Sequence, residues 1–136
     1  MFGNLFKGFG WSSQRYPSRV SGSVKPFTRN KIIGDWLVIS QQLAGKQPSQ
    51  MRQALITADK TLDAALRDVV QGEAMGERLK NSRHLFDKSL YNKIWGAHKM
   101  RNALVHEAGY EPPHHMISKG IEDLKRGLSS LGVNIK

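Results

Sequence analysis

Residues 51–69 read MRQALITADKTLDAALRDV, and this stretch decides the fold. Met51, Leu55, Ala58, Leu62, Leu66 and Val69 step by four, three, four, four and three. That is the apolar seam of a helix packed along one face. Ser49 is the expected N-cap and Gly72 the expected stop.

Working downstream, Met75 to about Arg83 predicts a short helical segment contributing Met75 and Leu79. Asp87 then caps a long helix running to about Glu107. In it, Leu90, Ile94, Ala97 and Leu104 form one stripe, with Tyr91, Trp95 and Val105 flanking it. Gly109 suits a C-terminal cap, and Pro112-Pro113 permits a new start. The last helix repeats the opening signature through Ile117, Ile121, Leu124, Leu128 and Leu131. Upstream, a helix near 30–44 places Ile33, Trp36, Leu37 and Leu43 on roughly one side, and a turn follows at 45–48. No segment alternates with a period of two. The expected fold is all-α: a bundle of four main helices and one short extra helix, spanning residues 30–136.

Residues 1–29 read as a flexible basic arm. They hold four Gly, five Ser and two Pro, with Lys7, Arg15, Arg19, Lys25 and Arg29 and no acid. Within the arm Phe2, Leu5, Phe6 and Phe9 fall at helical spacing, followed by Trp11, although Gly3, Gly8 and Gly10 oppose a helix. Residues 1–11 therefore suggest an interfacial membrane anchor, or a strip that docks on the domain or a partner.

The whole chain of 136 residues carries 21 basic and 11 acidic side chains, a net charge of +10, which favours polyanionic partners. It has no cysteine, which excludes a disulfide framework, a thiolate zinc site and a cysteine nucleophile, and fits a reducing cytoplasm. The longest apolar run is four residues, Trp36 to Ile39, too short for a transmembrane helix or a signal-peptide core. No Gly-rich phosphate loop, nucleophile elbow or dinucleotide fingerprint occurs. His114-His115 with His106 does not make a metal set, because neighbouring helical side chains diverge by ~100°. Glu73 and Glu77 read as acids stabilising a helix start. No metal or cofactor is expected.

The chemistry concentrates at the end of the long fourth helix, in Arg101-Asn-Ala-Leu-Val-His106. Arginine is a permanently charged fork for phosphate oxygens, and histidine exchanges protons near neutrality. Five residues apart, the two diverge by roughly 140° and ~7.5 Å, so one straight helix cannot close them on a small group. They suit a long polyanion, or a pocket completed by another helix or subunit. Arg101 lies on the line of Leu90, Ile94 and Ala97, and so points toward a helix contact, where an unpaired guanidinium is costly. Its partner is a phosphate, backbone carbonyls, or a carboxylate such as Asp59 or Asp63 of the second helix. His98, Asn102 and His106 form a polar row at steps of four.

Arg101-Asn102-Ala103-Leu104-Val105-His106 resembles the R-x4-6-H motif of the HEPN superfamily (higher eukaryotes and prokaryotes nucleotide-binding domains), including the polar residue after the arginine. Three further words agree: Ala58-Asp59-Lys60-Thr61-Leu62-Asp63, Glu73-Ala74-Met75-Gly76-Glu77-Arg78-Leu79, and Trp95-Gly96-Ala97-His98-Lys99. The similarity to small bacterial HEPN-like proteins runs over about residues 30–132. Ala108 stands where some HEPN toxins carry a tyrosine, and Tyr110 follows.

The resemblance implies a homodimeric, metal-independent endoribonuclease, toxin-like in some members and paired there with an antitoxin. Arg101 would hold the scissile phosphate, His106 would move the proton, and Asn102 would orient the site. Lys7, Arg15, Arg19, Lys25, Arg29, His98 and Lys99 are the expected RNA contacts. A non-catalytic RNA-binding or ribosome-associated protein is the second reading, because many HEPN-like domains are inactive. A membrane-surface adaptor or structural dimer, working through residues 1–11, is the third.

Overall fold

A computed structural model describes residues 22–136. The described residues form five α-helices and one 3-10 turn, with no strand among them. The helices are α1 (Pro26–Ala44), α2 (Pro48–Val69), α3 (Met75–Asn81), α4 (Lys88–His106) and α5 (His114–Ser130), and the turn is Arg83–Leu85. The all-helical class and the helix order expected from the sequence are those observed. The apolar strip Phe2–Trp11 and the cations Lys7, Arg15 and Arg19 lie outside the described residues.

Helix α2 is the centre of the bundle, in contact with α1, α3, α4 and α5. Its seam is buried as expected at Met51, Leu55, Ala58, Leu62, Leu66 and Val69. Ala54 and Ala65 are buried as well, because α1 and α5 cover α2 from two sides. From α5, Ile117, Ile121, Leu124 and Leu128 complete the core. Gly127 of α5 lets α4 come close: a Cβ there would stand 2.9 Å from Ile94 Cδ1.

The helix boundaries follow local chemistry. Asp87 caps α4, its Oδ1 accepting from the Leu90 amide at 2.8 Å. Helix α5 ends in a Schellman motif. Gly132 takes φ +87, its amide donates to the Ser129 carbonyl at 3.0 Å, and the Val133 amide donates to that of Leu128 at 2.9 Å. At α3, the Glu73 amide donates to Glu77 Oε1 at 2.9 Å; Glu77 is the acid of the first turn, whereas Glu73 precedes the helix and contributes its amide.

Three local expectations need correction. Helix α2 starts one residue before Ser49, with Gln47 as N-cap and Pro48 in the first turn, because proline's fixed φ is already helical. Helix α1 likewise starts at Pro26 rather than near 30, and Val24 before it is only 2 % exposed. On α1, Ile32, Trp36 and Ile39 face the core, whereas Ile33 and Leu37 are exposed. Apolar residues occur all round this helix, so its period does not mark the buried side. Trp36 settles that side by donating from Nε1 to Thr61 Oγ1 on α2 at 3.0 Å.

Candidate functional site

Asp59 sits among the buried residues of α2 and is 1 % exposed. A carboxylate so placed needs partners, and α4 supplies them one turn apart. His98 Nδ1 lies 2.9 Å from Asp59 Oδ2, and Arg101 Nε lies 3.7 Å from the same oxygen. Arg101 Nη1 donates to Asn102 Oδ1 at 2.9 Å, and the Asn102 amide nitrogen lies 3.5 Å from His98 Nε2.

These contacts fix one consistent set of donors. With the Nδ1 proton of His98 on Asp59, Nε2 accepts from Asn102, whose oxygen accepts from Arg101. The chain of bonds closes on the Arg101 guanidinium. It leaves Asp59 Oδ1 and Arg101 Nε without a hydrogen bond among the described residues. The guanidinium is thus bonded through Nη1 while its Nε is buried and unpaired, the side chain as a whole being 32 % exposed.

Of the two carboxylates weighed as partners for Arg101, Asp59 takes the role. Asp63 serves Arg78 instead, through a bidentate pair at 2.7 and 2.9 Å. Arg78 also donates to the Gly72 carbonyl at 2.6 Å. The Asp63 hydrogen bond raises the Arg78 pKa above the usual arginine value, against the opposing effect of burial.

The remaining expected contacts separate. His106 is the last residue of α4 and is exposed, whereas Arg101 and Asn102 are half-buried. His98 is 8 % exposed, which makes it a partner of Asp59 rather than an open RNA contact. Arg29 belongs to α1, not to an arm, and donates to the Gly132 carbonyl beyond α5. Lys25 is exposed at the N-cap of α1, its amide donating to Asp68 Oδ2 at 3.0 Å. Lys99 is exposed on α4, beside the Trp95 ring.

Helix α4 carries Lys88, Lys93, Lys99 and Arg101 and no acidic residue. The three lysines are exposed. At ~100° per residue Lys88, Lys99 and His106 share one positive face of the helix, whereas Lys93 and Arg101 lie on other sides and Arg101 faces Asp59. The sequence-based reading omitted Arg83, Tyr91 and Trp95 from that face. Tyr91 and Trp95 were legible as a flanking stripe, but their spacing fits packing equally well.

Elsewhere, a groove of about 480 Å³ between α1 and α2 is lined by residues including Phe27, Ile32, Ile56, Lys60 and Arg67. None of the α4 residues lines it, and its Arg67 already pairs with Asp63 at 3.5 Å. No helix among the described residues is long and apolar enough to cross a membrane. Comparisons of the chain with protein-family models, curated proteins and solved structures find no match.

Proposed function

We propose that this chain is a HEPN-like, RNA-engaging domain that cleaves RNA without a metal, through Arg101 and His106 at a homodimer interface. The observation that carries the reading is the absence of acid from α4, a helix that holds a half-buried guanidinium bonded to Asn102 beside Asp59 and ends in an exposed histidine. Arg101 stabilises charge developing on the phosphate oxygens. His106 takes the proton from the ribose 2′-hydroxyl, whose oxygen attacks the adjacent phosphorus. The P–O5′ bond breaks, and the leaving oxygen takes up a proton from the second copy's histidine. The products are a 2′,3′-cyclic phosphate and a 5′-hydroxyl, so atoms and charge balance.

The divergence of Arg101 and His106 along one helix is why a second copy belongs in this reading. Val105 and Met116 are 48 % and 43 % exposed at the end of α4 and the start of α5. An interface there would cover them. Val105→Asp is expected to reduce a dimer of twice the chain mass to a monomer in sedimentation.

A second reading, a non-catalytic RNA-binding module, draws on the Asp59 contact, which already offsets part of the Arg101 charge within the chain. Labelled mixed-sequence RNA incubated in EDTA separates the two. Cleavage by the wild type to cyclic-phosphate ends, lost in Arg101→Ala and His106→Ala, supports the nuclease. Silence of the wild type, or equal cleavage by both variants, overturns it and leaves the binding module.

A further inference from the structure

We infer that Tyr91 and Trp95, with Arg83 and Lys99 beside them, form a base-stacking platform for single-stranded nucleic acid. The inference rests on the reading of α4 as an RNA-engaging face, and it concerns how the strand is held rather than whether it is cut.

Four rings follow one another toward Arg101. The centroids of Phe86 and Tyr91 are 6.5 Å apart, those of Tyr91 and Trp95 6.4 Å, and those of Trp95 and His98 5.9 Å. The end rings, Phe86 and His98, are each 8 % exposed, while Tyr91 and Trp95 between them are half-buried and reach solvent. Each of these two carries a cation. The Arg83 guanidinium carbon lies 5.8 Å from the Tyr91 centroid, and Lys99 Nζ lies 5.9 Å from that of Trp95.

Both cations are exposed, and neither forms an ion pair among the described residues. Covering a ring is the lesser use of such a side chain. Swung aside, each uncovers an aromatic surface and stays within reach of the phosphate next to a base stacked there. Aromatic surfaces alternating with free cations are the chemistry that holds single strands without reading their sequence.

The spacing selects the form of the strand. Adjacent bases in a duplex rise by about 3.4 Å, roughly half the 6.4 Å between the Tyr91 and Trp95 centroids. The two rings also stand at 82° to each other, so bases lying flat on both cannot be parallel as they are in a stack. The row then continues through His98 to Arg101 and Asn102, so a strand laid on it carries its backbone toward the guanidinium.

The test uses the full chain and an oligodeoxythymidine of about 12 nucleotides, a length suited to such surfaces. The probe lacks the 2′-hydroxyl and cannot undergo the proposed cleavage, so its binding is read independently of nuclease activity. It is compared by fluorescence anisotropy with an abasic strand of equal charge and with a duplex of equal length. The single strand is expected to bind at least about tenfold more tightly than either.

In Trp11→Phe the same titration quenches tryptophan emission, because Trp36 is only 4 % exposed and leaves Trp95 as the reporter. Trp95→Leu, checked for an unchanged far-ultraviolet spectrum, removes the preference over the abasic strand, and Tyr91→Leu reduces it. Equal affinity for the basic and abasic strands overturns the inference, leaving plain electrostatics. So does a preference for the duplex, or a single-strand preference that survives both substitutions. A chain that binds the strand in this way yet cuts no RNA keeps the platform and loses the nuclease reading.

Discussion

Asp59 carries most of the site. It is buried within a helix made otherwise of Met, Leu, Ala, Thr and Val on its buried side, and its charge is tolerable because His98 and Arg101 face it from α4. Asp59→Ala strips both of their partner and is expected to lower stability by about 2–3 kcal/mol in urea unfolding. His106→Ala, at an exposed helix end, should stay within ~0.5 kcal/mol. Similar losses for the two would contradict the placement of Asp59 as the anchor. The Arg78–Asp63 pair has a defined dependence on pH. The folded-state pKa of Arg78 is raised, so its contribution is complete below the ordinary arginine value and is lost only as pH rises through the higher folded value. The destabilisation caused by Arg78→Met is therefore expected to be the same at neutral and mildly alkaline pH. A loss that changes across that range would contradict the raised folded-state pKa.

At the scale of elements, the helices are held at their ends by a few positions. Asp87→Ala removes the one side-chain cap of α4 and is expected to cost about 1 kcal/mol. Lys46, in the turn between α1 and α2, has φ 55 although Gly45 stands beside it. Lys46→Gly should therefore raise stability by about 0.5–1 kcal/mol, read as a higher melting temperature. The seams of α2 and α5 were legible in the sequence because each helix is polar on its remaining face, so period and burial coincide. Those of α1 were not: Phe27, Leu37 and Val38 are 82 %, 67 % and 48 % exposed while Ile32 and Ile39 are buried. Both sides of that helix are apolar, and only contact with α2 distinguishes them. Arg101 was legible as a half-buried cation from its place on the Leu90–Ala97 line. Its partner was not, since Asp59 and Asp63 lie one turn apart on α2 and only the bundle's geometry assigns one to Arg101 and the other to Arg78.

For the whole molecule, a net charge of +10 biases every encounter toward polyanions. The position of that charge decides what such an encounter does. If α4 is the contact face, Lys88→Gln and Lys99→Gln each weaken RNA binding and flatten the log–log salt dependence by about 0.7. Equal substitutions on the exposed face of α1, such as Lys31→Gln, should leave the slope nearly unchanged, because Lys31 faces Asp35 at 3.4 Å. A slope that responds to Lys31 and not to α4 would move the contact face to the other side of the bundle.

The sequence by itself determined the all-helical class, the order of the helices, the cap at Asp87 and the seams of α2 and α5. These are properties of neighbours three or four residues apart, fixed by the pitch of the helix. It also determined which side chains had chemistry to offer. Only the tertiary structure decided which of them meet. Asp59 and His98 are 39 residues apart in sequence and 2.9 Å apart in space, whereas His106, five residues beyond Arg101, stands exposed at the helix end. Local spacing fixes directions around one axis, and the packing of α2 against α4 sets which directions converge.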